Sequence, residues 1–285
     1  MATLKAIRRR VASVRNIQQI TKAMKMVSAA RLRRAQEAAF AARPYAEKLE
    51  AVLQNLASQT ATLSHPLLET REEKNVDLIL VTSDRGLCGG FNSNLIRMAE
   101  AFMRERPGQK VTVSFVGRRG FDHFRRRSVA MGEQHINLFG KLTPALAHEI
   151  GLRMSQRFTN GETDGVYVLY ARFRSAVSQI PTTDKVLPVS AKKNEPAQAS
   201  LEYLYEPEPQ ELLASLLTRY VDMLIYRAML ESVASEHGAR MTAMENATNN
   251  AVDMIGRLTL DMNRARQAGI TRELLEIVST SEALK

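Results

Sequence analysis

Leu213, Leu216, Tyr220, Met223, Arg227, Leu230, Ala234, His237, Met241, Met244, Thr248, Ala251, Ile255, Leu258, Met262 and Ala265 recur with an unbroken alternation of three and four residues. A period of 3.5 keeps one stripe of a long helix turned toward a partner helix and implies a left-handed supercoil. No proline interrupts the chain between Gln210 and Lys285. At about 1.5 Å per residue that stretch is a helix on the order of 110 Å long. A shaft, tether or spacer needs such a helix; a globular enzyme does not.

A second long helix is expected over residues 1–57. Leu4, Ile7, Val11 and Val14 open a similar stripe, which then moves over by one position to Ile17, Ile20, Met24 and Val27. It returns at Leu32 and continues through Ala35, Ala39, Ala42 and Ala46 to Leu49, Leu53 and Leu56. The one-position shift predicts a local change of supercoil, and Pro44 predicts a kink or interruption. A lone helix with an apolar stripe is not stable in water, so the two long helices are expected to pair antiparallel. The C-terminal helix is the longer, and its last turns then lack an intrachain partner.

Between them the pattern changes. Residues 76–82, 111–116 and 165–171 are short runs rich in β-formers, and 185–189 is a weaker one. Helical patterns lie between, at 93–103, after Gly120, and from Thr143-Pro144, where a good N-cap precedes proline at the first helical position. Alternating strands and helices predict a small, mostly parallel α/β unit over residues 75–190. A linker rich in Lys, Pro and Glu, Ala191 to Glu208, leads to the C-terminal helix over 209–285. The fold class is α/β: a long antiparallel coiled coil of N- and C-terminal helices with an inserted Rossmann-like α/β domain.

Charge is distributed unevenly. The formal net charge is +10, and residues 1–57 hold 12 Lys and Arg against 3 Asp and Glu, a net of +9. Lys5, Arg8, Arg9, Arg10, Arg15, Lys22, Lys25, Arg31, Arg33 and Arg34 all precede the first acidic residue, Glu37. That density predicts a partner of opposite sign. Nucleic acid is one such partner, but no aromatic residue precedes Phe40, so base stacking is missing. The cluster Arg118, Arg119, Arg125, Arg126 and Arg127 reads as a solvated face. The one cysteine, Cys88, excludes an internal disulfide and a cysteine-rich metal site. No run of 18 apolar residues exists, and the N-terminus lacks the apolar core of a signal peptide.

The glycine-rich segment Ser83-Asp84-Arg85-Gly86-Leu87-Cys88-Gly89-Gly90-Phe91-Asn92 follows the first strand. Such a turn can cradle phosphate at a helix N-terminus. Its spacing matches neither G-x-G-x-x-G nor the P-loop, so a tight strand-to-helix connection is the preferred reading, with Cys88 a buried small residue. None of the five histidines has metal-ligand spacing with another, and no cofactor is expected. Arg227 and His237 interrupt the C-terminal stripe as register-setting polar sites or as points of partner contact.

Several strings taken together resemble one family, the gamma subunit of bacterial-type F-type ATP synthases. They are Ile20-Thr21-Lys22-Ala23-Met24-Lys25-Met26-Val27, the Ser83–Asn92 loop, and Tyr205-Glu206-Pro207-Glu208-Pro209. The C-terminal helix adds Ser235-Glu236-His237-Gly238-Ala239-Arg240-Met241-Thr242-Ala243-Met244 and Arg264-Ala265-Arg266-Gln267-Ala268-Gly269-Ile270-Thr271-Arg272-Glu273-Leu274. The resemblance covers the whole chain in order. Gly238 departs from the family's usual alanine, and Ser279-Thr280-Ser281 from its usual S-G-A. The chloroplast dithiol insert is absent.

The resemblance implies a non-catalytic central rotor shaft that couples proton flow through a membrane ring to ATP synthesis or hydrolysis in an alpha/beta hexamer. It implies alpha, beta and epsilon subunits and the c-ring as partners, no nucleic acid, and a peripheral position on the cytoplasmic face of the bacterial inner membrane. It places Lys22, Met24 and Lys25 near an acidic region of the beta subunits. It makes Arg240, Arg264, Gln267 and Thr271 candidate contacts with catalytic-subunit loops. Ile277, Val278, Ala283 and Leu284 form a weakly polar bearing end. Two rival classes are a nucleic-acid-binding coiled coil, which would show steep salt-dependent affinity, and an α/β enzyme, whose middle domain would bind a nucleotide.

Overall fold

The computed structural model describes residues 4–59, 65–140, 142–189 and 209–283. The linker and the Tyr205–Glu208 string lie outside the described residues, as does Leu284. Two compact units are formed, Ala29–Arg240 on the one hand and Met1–Ser28 with Met241–Lys285 on the other.

In the larger unit a five-stranded sheet has the order β3-β2-β1-β4-β5. Its strands are β1 (Asn75–Val81), β2 (Lys110–Val116), β3 (Ala130–His135), β4 (Gly165–Phe173) and β5 (Gln179–Leu187). β1 pairs in parallel with β2 and β4, β2 pairs in parallel with β3, and β5 is an antiparallel edge on β4. The mostly parallel arrangement agrees with the sequence reading. Two details differ. β3, Ala-Met-Gly-Glu-Gln-His, was not expected, because an edge strand half covered on each side has no apolar alternation to betray it. β5 begins six residues before the expected fourth strand, and Pro181 within it is tolerated because an edge strand leaves one row of amides unpaired.

Side chains of β1 alternate between two cores. Val76, Leu78 and Leu80 pack with Phe91, Leu95, Ala99 and Phe102 of α2 (Phe91–Arg104) and with Phe124 of α3 (Arg118–Phe124). Ile79 and Val81 pack on the other face with Ala147, Ile150, Met154 and Phe158 of α4 (Pro144–Thr159). Thr143 caps α4 by accepting from Leu146 N, as the sequence indicated. The polar residue of β1, Asp77, is buried on this second face, where its carboxylate accepts from Arg157 Nε at 2.9 Å.

That second face is completed by the C-terminal helix α5 (Pro209–Ala283). Leu213, Leu217, Val221, Ile225, Ala228 and Met229 enter the same core. The expected stripe, Leu216, Tyr220 and Met223, is only half buried there, and Arg227 is exposed. α5 has two neighbours in this unit, sheet and first helix, so its apolar arc is wider than a two-helix seam requires. The first helix, α1 (Leu4–Gln59), adds Leu49 and Leu53 to this core. Where its seam is alanine, Ala39, Ala42 and Ala46 face Met223, Leu230 and Ala234 across a cavity of about 280 Å³.

In the smaller unit α1 and α5 run antiparallel. Thr21 meets Thr248 and Lys25 meets Glu245, so one number falls as the other rises. Two expectations for α1 are corrected. The seam does not move to Ile17, Ile20 and Val27, which are 49%, 58% and 51% exposed. It continues on an uninterrupted 3,4 spacing through half-buried Gln18, buried Thr21, half-buried Lys25 and buried Ser28 to Leu32. Thr21 bonds to Thr248 and Lys25 pairs with Glu245 there, while the apolar Ile17, Ile20 and Val27 face outward. Nor does Pro44 interrupt α1. The helix continues past it to Gln59, and Pro44 lies on its exposed side.

Candidate functional site

In open α/β sheets ligands bind outside the carboxyl ends of the strands, where the strand order reverses. Here that point lies between β1 and β4, immediately before the Ser83–Asn92 loop. Side chains at both ends of that loop tie it to the turns around it. The Asp84 carboxylate accepts from the amides of Arg118 at 3.0 Å, Asn137 at 2.8 Å and Phe139 at 2.9 Å. Asn92 Oδ1 accepts from Ser83 N at 3.0 Å. Gly117 has φ 103, and a Cβ there would lie 1.9 Å from Thr82 O, so glycine serves a close backbone crossing. Cys88 is buried, and desolvation pushes its thiol above the ordinary range. Ser83, Asp84 and Asn92 thus anchor the loop to its neighbours.

The crevice itself is filled by the chain's own α5. Ser235 Oγ donates to Ala171 O of β4 at 2.9 Å. Ser232 Oγ lies 3.5 Å from Val81 O of β1. Arg240 donates to Gly86 O from Nη2 at 3.2 Å and pairs with Glu236 one turn earlier on the same helix. His237 Nδ1 lies 3.3 Å from Arg240 Nη1. Burial raises the Glu236 carboxyl above its ordinary value, with Arg240 opposing that rise. Burial, followed by the charges of Arg240 and Arg31, lowers the His237 imidazole to about 4. At neutral pH His237 is therefore uncharged. Gly238 also has a packing reason: a Cβ there would lie 3.2 Å from Ala176 Cα and 3.3 Å from the Phe173 ring. The departure from alanine noted in the sequence matches the close passage of the β4–β5 turn.

The candidate contact residues divide into groups. Lys22 is exposed and Met24 half-buried on α1, while Lys25 Nζ lies 2.6 Å from Glu245. Arg264, Gln267 and Thr271 are exposed on α5, and the Thr271 hydroxyl donates to Gln267 O at 3.0 Å. Arg240 does not belong with them. It is 8% exposed, and its guanidinium is turned inward to Glu236 and Gly86.

Beyond Ala265 every described side chain of α5 is exposed up to Thr280, including Ile270, Leu274, Leu275, Ile277 and Val278. Ile17, Ile20 and Val27 form a second outward apolar face on α1. The sequence reading put those three in the seam; their rigid apolar side chains gave no sign of which side they take. Exposed Leu87, at φ 63, is a further departure, since a branched side chain in the left-handed region costs about 1–2 kcal/mol. Among the described residues no group of His, Cys, Asp and Glu could hold a metal, and no helix is long and apolar enough to cross a membrane.

Comparison with known proteins agrees with this geometry. A family model described as ATP synthase matches residues 3–284. The ATP synthase gamma chain of Geobacter sp. (strain M21) is 47% identical over 287 residues, covering 100% of both chains. That of Solibacter usitatus is 49% identical over 288 residues, covering 99% of both. Among solved structures, the central stalk and c-ring of Tetrahymena thermophila mitochondrial ATP synthase includes a chain 26% identical, with TM-score 0.62, over 80% of this chain and 99% of that one. A chain of the Euglena gracilis mitochondrial enzyme, 19% identical, shares the fold with TM-score 0.69 over 99% of this chain and 94% of that one. Two long helices paired antiparallel and full-length identity near one half lead to one conclusion: the chain belongs to the ATP synthase gamma-chain family, as a non-catalytic subunit and rotor shaft of the F-type enzyme.

Proposed function

We propose that the chain turns inside a hexamer of alpha and beta subunits and carries torque between that hexamer and a membrane c-ring, with epsilon docked on its α/β domain. In this reading residues 1–57 and 209–285 form the shaft and residues 75–190 the base. The observation that carries it is the stretch of α5 beyond Ala265, helical and exposed on all sides, with apolar Ile270, Leu274, Ile277 and Val278. Apolar surface of this extent needs a sleeve, and a hexamer bore supplies one without fixing a single orientation. Basic α1 supports an acidic partner region on beta, with exposed Lys22 and half-buried Met24 and Lys25 nearest to it. Arg264, Gln267 and Thr271 face the catalytic-subunit loops. The complex lies at the cytoplasmic face of the bacterial membrane.

Reversing Lys22 and Lys25 to Glu in the reconstituted enzyme tests the electrostatic part. Coupling of ATP hydrolysis to proton pumping is expected to fall, and unchanged coupling rejects that contact. Release of the chain with a large ATPase from membranes at low ionic strength in chelator supports the whole reading. A nucleic-acid-binding role would instead appear as DNA affinity falling steeply with salt.

A further inference from the structure

We infer that residues Ser232–Arg240 of α5, seated in the ligand crevice of the sheet, are the rotational lock between the base and the helix, with Glu236 and Arg240 as its positioning residues. This rests on the rotor-shaft reading. A shaft is useful only if its base cannot roll around it. Burial of Leu213 to Met229 keeps one face of α5 on the sheet and opposes large roll, and directional bonds beyond that row narrow the roll that remains. Hydrogen bonds are directional, and those made away from the helix axis oppose roll.

α5 makes such bonds to separate elements around the crevice. Ser235 reaches Ala171 O on β4, and Arg240 reaches Gly86 O in the loop after β1. On a further side the β4–β5 turn lies close against Gly238, where an added Cβ would sit 3.2 Å from Ala176 Cα. Rotation of α5 either way breaks a bond or drives the helix backbone into that turn. Glu236 sets the direction of the Arg240 guanidinium from one turn below, and both are buried, so water does not replace the bonds cheaply. A doubly wound sheet ordinarily offers this crevice to a ligand. Here a helix occupies it, and the protein gains a fixed angular relation between the two.

The test replaces Glu236→Leu together with Arg240→Met. Exchanging both members of a buried ion pair for apolar residues is tolerated far better than removing one, which leaves an unpaired charge. A second variant, Ser235→Ala, keeps the ion pair and removes the bond to Ala171. Each is assembled into the complete hydrolytic complex, immobilised through the hexamer, with a rotation probe attached to the α/β domain. ATP hydrolysis in bulk needs no load on the base and is expected within about twofold of the parent. Angular fluctuation of the probe during pauses is expected to widen at least twofold in the paired variant and less in Ser235→Ala. Fluctuation equal to the parent's in an assembled, hydrolysing complex overturns the lock, as does loss of assembly and hydrolysis together in both variants. A parent complex whose base-attached probe does not rotate overturns the rotor reading instead.

Discussion

The hydroxyl oxygens of Thr21 on α1 and Thr248 on α5 lie 2.8 Å apart in the seam between the helices. Each also reaches a carbonyl of its own helix, Thr21 to Gln18 O at 3.0 Å and Thr248 to Met244 O at 2.7 Å. Two hydroxyl protons thus serve three contacts. A buried polar pair in a helix seam fixes register at some cost in stability. Thr21→Val alone is expected to destabilise by about 1 kcal/mol, because the Thr248 hydroxyl loses its contact across the seam and keeps only Met244 O. Thr21→Val with Thr248→Val is expected to cost less than the two singles added, since both polar groups disappear. Chemical unfolding of the four proteins measures this. Strict additivity would mean that the hydroxyls act independently.

Two isoleucines separate stability from assembly. Ile225 is fully buried against the sheet, and Ile225→Ala is expected to cost about 2–5 kcal/mol. Ile20 is 58% exposed, and Ile20→Ala is expected to leave the unfolding of the isolated chain within about 0.5 kcal/mol of the parent. The same Ile20→Ala chain is expected to assemble less tightly into the hexamer, as read by subunit exchange. A large unfolding effect at Ile20 would restore the shifted seam read from the sequence.

His237 makes stability pH-dependent in a defined window. Its folded-state value, lowered to about 4, lies below the ordinary 6.5. Between those values the unfolded chain binds the proton and the folded chain does not, so stability falls as pH drops from about 6.5 toward 4. Above 6.5 the effect vanishes. Its full size is on the order of 3 kcal/mol. Glu236, 3.7 Å away with its carboxyl raised by burial, acts in the opposite sense, and the guanidinium groups of Arg240 and Arg31 also face the ring. Comparing the parent with His237→Gln isolates the histidine: the variant is expected to lose less stability between pH 6.5 and pH 4.5. Parallel curves would show that His237 is protonated without penalty.

Helix continuity at Ile255 is the mechanical requirement. Proline there removes a backbone donor and clashes with the preceding turn, a cost of about 3 kcal/mol or more. Ile255→Pro is expected to abolish assembly of a coupled complex. Shortening the chain by its last few residues is expected to reduce torque in steps, because the tip meets only a sleeve. Full coupling in the Ile255→Pro complex, measured as ATP-driven proton pumping, would sink the shaft.

The sequence by itself determined the periodicities. The unbroken 3,4 spacing of α5 predicted one helix longer than its partner, and the β-rich runs at 76–82, 111–116 and 165–171 predicted a mostly parallel sheet. Both depend on side-chain spacing along a single chain, which local geometry translates directly into a face. Spacing does not say which neighbour a face meets. On α1 the tertiary structure chose Gln18, Thr21 and Ser28 for the seam and turned Ile17, Ile20 and Val27 outward, against hydrophobicity, because on that side Thr21 and Lys25 meet Thr248 and Glu245 of α5. On α5 it chose Leu217, Val221 and Ile225, off the heptad stripe, because a sheet occupies that side. It also placed Glu236 and Arg240 in a crevice formed by strands more than 60 residues away in sequence. A charged pair four apart on a helix reads as solvated surface until the fold removes the water around it.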